Sequence, residues 1–192
     1  MKEVEQFLLM DFADFMDLSL QLCKAVLPSH RQRPFDYLIS IQRGGAVMSK
    51  ILSDVLEVPI ATVTATSYVH LNKTRTPIIT QDISTDISEK KVLVLDEISD
   101  TGETLTVLIK HLESHKPNII ETATLFIKPH TTFTPTYHVV ETKQWIVFPY
   151  ELKEMCVFIN TKYADKPELV KEITAYLKRN GARDELLSVL HN

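Results

Sequence analysis

Asp96 and Glu97 stand side by side, and two residues later the chain reads Asp100-Thr101-Gly102-Glu103-Thr104. Adjacent carboxylates accept hydrogen bonds from neighbouring hydroxyls, such as those of a ribose, and Asp100, about one turn on, can work as an acid or base. The apolar run before them, Val92 to Leu95, reads as a central parallel strand covered on both faces. After them Leu105, Leu108, Ile109 and Leu112 recur at helical spacing. In such a strand-loop-helix unit the N–H groups of residues 101 to 104 open a helix, where unpaired donors and the helix dipole favour an anion such as phosphate. Gly102 lets the backbone come close. The same residues have a plainer use. Asp100 and Glu103 fit an N-cap and capping box, and Thr101-Gly102 is ordinary turn chemistry. A strand ending in Asp-Glu also suits a nucleoside triphosphatase. That fold needs a G-x-x-x-x-G-K-[ST] loop, and the four glycines, Gly44, Gly45, Gly102 and Gly181, make none.

The elements that must position these groups alternate along the chain. Val4, Phe7, Leu8, Phe15, Leu18 and Leu22 predict an amphipathic first helix within residues 1–26, its aromatic residues serving the core or a dimer contact. A basic, turn-rich break runs from Pro28 to Pro34. Tyr37 to Ile41 predicts a strand and Ala46 to Leu56 a helix. Between them, Arg43-Gly44-Gly45 joins a permanent cation to backbone freedom, although such a triplet is also a common turn. Val58 to Thr64 predicts a strand, Thr66 to Glu89 a long polar loop, and Ile119 to Ile127 a further strand that ends at Lys128. His111 and His115, four apart, have a spacing that can hold a metal given a third ligand. His-Leu-Glu-Ser-His lacks the zinc-protease order, so a solvated helix face is the expectation. Past Asn160, over residues 160–192, a polar helical tail starts at Lys166-Pro167-Glu168 and stops at Asn180-Gly181; Leu186, Leu187 and Leu190 can pack on the body.

The 192 residues suffice for one domain, 1–192, with a full core. A net charge of −4 argues against a general nucleic-acid binder, which needs a basic face. Cys23 and Cys156 form no framework, the acidic start resembles no secretory signal, and no apolar run reaches membrane-spanning length. The cytoplasm is the expected compartment.

Taken together, the stretch from Val92 to Leu105 resembles the PRPP-binding motif of the type I phosphoribosyltransferases, a pattern of about fourteen positions. The resemblance covers roughly residues 36 to 152. It implies an α/β fold with a mostly parallel central sheet flanked by helices and a small C-terminal hood. It implies a 5′-phosphate held by Asp100, Thr101, Gly102, Glu103 and Thr104, and ribose hydroxyls held by Asp96 and Glu97. Mg²⁺ would sit on the pyrophosphate, reaching Asp96 and Glu97 indirectly through PRPP and water. Arg43, Gly44 and Gly45 take the place of the family's pyrophosphate loop. Ser67-Tyr68 matches the pair on a mobile loop that closes over PRPP, and Lys73 and Arg75 can approach the pyrophosphate there, surface charge being the alternative for either.

The segment Thr124 to Lys128, with Trp145 to Glu151 after it, resembles the acceptor half of the 6-oxopurine enzymes. Lys128 matches the lysine that donates to O6, Trp145 the ring that stacks on the purine, and Ile146 the residue whose backbone meets the base edge. Glu151 is a candidate reader of the 2-position. A cationic donor accepts a carbonyl oxygen and rejects adenine's amino group. The tryptophan can instead belong to the core. The implied reaction is 5-phosphoribosyl transfer from PRPP to N9 of hypoxanthine, guanine or xanthine, in purine salvage, with Asp100 managing the proton at N7. PRPP and a purine base are the expected partners, with a homodimer or homotetramer as the assembly. A PRPP- or nucleotide-binding regulator of this fold, or transfer to another base, is the alternative. Glu103 stands where many relatives carry lysine, so its carboxylate is expected to turn back and cap the helix, leaving its N–H to the ligand.

Overall fold

The computed structural model describes residues 7–66, 69–70, 73–74 and 77–179. The chain divides into two compact units, Asp17–Thr142 and a smaller one made of Met1–Met16 with Lys143–Asn192.

The larger unit is a mixed α/β layer built on a six-stranded sheet. Its strands are β2 (Tyr37–Gln42), β3 (Ile60–Thr66), β6 (Ile78–Gln81), β7 (Lys91–Ser99), β8 (Ile119–Ile127) and β9 (Tyr137–Glu141), in the order β6-β3-β2-β7-β8-β9. All neighbours are parallel except β3 and β6. A two-stranded antiparallel ribbon, β4 (Val69–His70) with β5 (Lys73–Thr74), lies between β3 and β6 in sequence. The helices α2 (Ala46–Leu56) and α3 (Glu103–Glu113) are the crossovers of two βαβ units. Leu105, Leu108 and Leu112 of α3 are buried against Ile39, Val63, Val92 and Val94, each fully buried leucine contributing roughly 1.5–3 kcal/mol.

Three boundaries differ from the sequence expectation. Ile83 and Ile87 are buried in this same core, so the 66–89 segment is more than a polar loop. β7 continues to Ser99, and its ladder to β8 includes Asp96 opposite Thr124 and Ser99 opposite Ile127. The acidic pair thus lies inside the strand, where main-chain pairing holds it. Finally, α1 (Phe12–Gln32) runs through Pro28 instead of breaking there. Its last turns are fastened by the buried Lys91, whose Nζ donates to Ser29 O and Arg33 O at 3.0 Å and to Ser29 Oγ at 2.7 Å. Tertiary bonds of this strength override a local break.

The smaller unit corrects the expected first helix. Phe7–Leu9 is a strand, β1, paired in parallel with β10 (Trp145–Val147), so this unit joins N-terminal residues to C-terminal ones. The helix begins only after a reciprocal cap, in which Asp14 N–H donates to Asp11 Oδ1 at 2.8 Å and Asp11 N–H to Asp14 Oδ2 at 3.3 Å. Phe15 makes edge contacts with Phe148 and Tyr150. The helices α4 (Leu152–Lys162) and α5 (Pro167–Arg179) complete this unit; α5 starts at the expected proline, while Leu186, Leu187 and Leu190 lie outside the described residues. No helix is long and apolar enough to cross a membrane among the described residues.

Candidate active site

From β2 the chain crosses through α2 to β3 on one side, and from β7 through α3 to β8 on the other. The carboxyl ends of β2 and β7 therefore flank a topological switch point, where crossover connections diverge and leave a crevice. A cleft of about 250 Å³ lies there, lined by Arg43, Gly44, Asp96, Glu97 and residues 98–102 and 104.

Two loops close on the acidic pair. After β2, the Gln42–Arg43 peptide is cis and Gly45 N–H donates to Ile41 O at 2.8 Å. A Cβ on Gly44 would stand 2.7 Å from Asp96 Oδ1 and 2.9 Å from Glu97 Oε1, and one on Gly45 would collide with the Leu95 carbonyl. Glycine is thus required at 45, where the obstacle is backbone, while a side chain at 44 would push the two carboxylates aside. Glu97 is buried, and its N–H donates to Asp96 Oδ1 at 2.9 Å.

After β7, Gly102 adopts φ +86° and is itself the N-cap of α3, with no side-chain cap. The Asp100–Glu103 capping box does not form. Asp100 Oδ1 instead lies 3.1 Å from His130 Nε2, while Glu103 is exposed and its N–H donates to Thr101 Oγ1 at 3.3 Å. The expected return of the Glu103 carboxylate is therefore not seen: glycine at the cap offers no side-chain acceptor, and Thr101 Oγ1 meets the first N–H of the helix. The segment after β8 braces this loop from beneath. Thr132 N–H and Oγ1 donate to Thr101 O at 2.9 and 2.8 Å, and Ser99 Oγ donates to Phe133 O at 2.8 Å. His130, Thr131, Thr132 and Phe133 carry no site motif; a threonine-rich run after a strand end is their signal in the sequence.

A methyl on Gly102 would meet Phe133 N at 2.5 Å and Phe133 Cβ at 2.7 Å. Gly102→Ala is expected to cost about 1–3 kcal/mol from the positive φ, with the backbone clash adding to it. Thermal denaturation against wild type measures this, and an unchanged midpoint would mean that the brace yields.

Lys128 follows β8 directly and is buried, with its N–H donating to Ser99 O at 3.1 Å. Burial pushes its ammonium below the usual lysine range, while the Asp100 carboxylate pulls the other way. The remaining predicted base contacts, Trp145, Ile146 and Glu151, belong to the smaller unit. There Trp145 is half exposed and stacks on Phe158 at 4.4 Å between ring centroids, so it is not a core residue, whereas Ile146 is buried. Ser67, Tyr68 and Arg75 lie outside the described residues, and Lys73 begins β5.

A mostly parallel sheet carries a glycine loop, an acidic pair and a glycine-capped helix start at one switch point, the place where open α/β sheets bind ligands. The model of the phosphoribosyl transferase domain matches residues 19–155, well over half of the chain, and the chain belongs to that family. The structure is similar to that of the Pyrococcus horikoshii Ot3 purine phosphoribosyltransferase, with TM-score 0.67 and 29% identity over 76% of this chain and 94% of that one. The Helicobacter pylori xanthine-guanine-hypoxanthine phosphoribosyltransferase gives TM-score 0.65 and 25% identity over 78% and 97%. In sequence, the hypoxanthine-guanine phosphoribosyltransferase of Schistosoma mansoni is 34% identical over 85 residues, 42% of this chain and 30% of that protein. The chain spans about a third of the length of the curated relatives it matches.

Proposed function

We propose that this chain transfers the 5-phosphoribosyl group of PRPP to N9 of a 6-oxopurine, releasing pyrophosphate, as a step of purine salvage in the cytoplasm. The observation that carries the reading is the pairing of the switch-point cleft with the buried Lys128 at the next strand end. The purine-acting proteins among the similar structures support the choice of acceptor.

The bond from C1′ to the pyrophosphate oxygen breaks and the bond from C1′ to N9 forms, with inversion. The N–H groups at the start of α3 take the 5′-phosphate, and Arg43 with the backbone at Gly44 and Gly45 takes the pyrophosphate. Asp96 and Glu97 orient the ribose hydroxyls beside the positive charge that develops on the sugar. Asp100 receives the proton released at purine N7, and Lys128 donates to O6. Trp145 has Phe158 on one face and half its surface exposed, so stacking on a flat base is the role we assign to it, with Ile146 at the base edge and Glu151 toward the 2-position. Ser67, Tyr68, Lys73 and Arg75 belong to the segment we read as a lid that excludes water. The hard carboxylate oxygens of Asp96 and Glu97 in the cleft suit Mg²⁺ held through PRPP and water. Bound there, the ion would neutralise charge on the leaving pyrophosphate.

Pyrophosphate release with Mg²⁺ and PRPP is to be measured across hypoxanthine, guanine, xanthine, adenine, uracil and orotate. Turnover restricted to the oxopurines is expected. Lys128→Ala is expected to lower their kcat/KM by about 10–100-fold, the worth of a hydrogen bond from a charged donor. Equal turnover with adenine or a pyrimidine would refute the acceptor, and PRPP binding without transfer to any base would refute catalysis.

A further inference from the structure

The helix that opens at Gly102 ends at Glu113, and its last turn carries His111. The chain then winds through one more tight turn, in which Ser114 N–H donates to His111 O and His115 N–H to Leu112 O, each at 3.0 Å. His115 is thereby kept beside His111, with ring centroids 5.2 Å apart. Asp82 arrives from another element, as the first residue after β6. Its Oδ1 lies 2.7 Å from His111 Nε2 and 3.4 Å from His115 Nε2, and the three ligand atoms all fall within 4.8 Å of one another. The two histidine side chains are 31% and 29% exposed and that of Asp82 51%, so an ion from solvent has access.

We propose that Asp82, His111 and His115 form a binding site for a divalent d-block cation of the Zn²⁺ class. Two imidazole nitrogens and one carboxylate oxygen are the borderline donors that such ions take, whereas Mg²⁺ and Ca²⁺ select oxygen sets. Tetrahedral bonds of about 2.0 Å hold ligand atoms about 3.3 Å apart, so the observed separations close on an ion by side-chain rotation. The carboxylate is anchored for this, because Asp82 Oδ1 also accepts the Ile83 N–H at 2.7 Å. Three protein ligands leave a fourth position for water. An ion here staples the segment after β6 to the end of α3, and that segment is already seated in the core by Ile83 and Ile87. None of the three ligands lines the switch-point cleft, so the site is independent of PRPP.

Chelator-treated full-length protein, without PRPP, is to be titrated with Zn²⁺ by calorimetry and with Co²⁺ by visible absorbance. One equivalent of Zn²⁺, a tetrahedral Co²⁺ band and a rise in Tm with Zn²⁺ are expected. His115→Gln and Asp82→Asn are each expected to weaken Zn²⁺ binding by about a hundredfold or more with an unchanged circular dichroism spectrum, since removing a ligand costs at least as much as removing its outer support. Absence of stoichiometric binding would overturn the proposal, as would retention of the site in the His111→Gln, His115→Gln double variant. In the wild-type protein itself, a thiolate-to-cobalt charge-transfer band would put the ion on Cys23 or Cys156 and overturn it equally.

Discussion

Replacing Asp100 by asparagine is expected to lower kcat by about 10²–10⁴-fold, the usual worth of a positioned acid or base, while PRPP affinity stays within a few-fold. The substitution preserves shape and the capacity to accept from His130, whose Nε2 lies 3.1 Å from Asp100 Oδ1. What is removed is the ability to take a proton. The loop itself does not depend on this carboxylate, since Gly102 caps α3 and Thr132 holds Thr101 from beneath. Single-turnover rates beside a PRPP binding titration separate the two effects. A loss of the same size in both would make Asp100 a ground-state ligand of the sugar phosphate and leave the proton at N7 to another group.

Replacing Lys91 by methionine is expected to destabilise the fold by about 3–5 kcal/mol, the cost of stripping one partner from a buried pair. Lys91 Nζ lies 3.2 Å from Glu121 Oε1, with side-chain exposures of 3% and 17%, and the ammonium also sits 4.2 Å from the Phe35 ring centroid. Burial acts to raise the Glu121 carboxyl, but bonds from Ser29, Tyr137 and Lys91 together hold it below the ordinary glutamate range. A depressed carboxyl contributes stability that is present above its unfolded pKa and is lost as pH falls through the lower folded one. The gap between wild type and Lys91→Met should accordingly be widest near neutrality and shrink on acidification below the ordinary glutamate pKa. Urea unfolding at several pH values measures it, and a gap independent of pH would deny the pair any part in it. Glu121→Met in the Lys91→Met background should recover much of the loss, because no uncompensated charge then remains buried.

The strand-loop-helix from Val92 to Leu112 was legible because a doubly covered strand leaves an uninterrupted apolar run and its loop is short. The same holds for β2 and α2 around Arg43-Gly44-Gly45. What the sequence concealed has physical causes as well. Phe7 and Leu8 fit a helical period and yet pair with β10, a partner more than a hundred residues away. The cap that delays α1 was written as Asp11 and Asp14 but hidden inside an acidic, seemingly solvated stretch. β9 is an edge strand with a half-exposed pattern following a threonine- and proline-rich run, so no apolar signal marks it. Lys91 reads as a strand-end charge, and its burial follows only once Ser29, Arg33 and Glu121 surround it. Asp82 joins His111 across 29 residues, a meeting that no spacing rule announces.

The chain has only four glycines, and Gly44, Gly45 and Gly102 all sit where a single methyl would strike a carboxylate, a carbonyl or the Phe133 backbone. Most surface positions of such a protein admit many alternatives, since a substitution there changes stability by about 0.5 kcal/mol or less. Gly45 and Gly102, which meet backbone, have no such latitude. On the reading proposed above, a change of ligand preference is expected to come from side chains such as Lys128, with these glycines and the backbone they permit left in place.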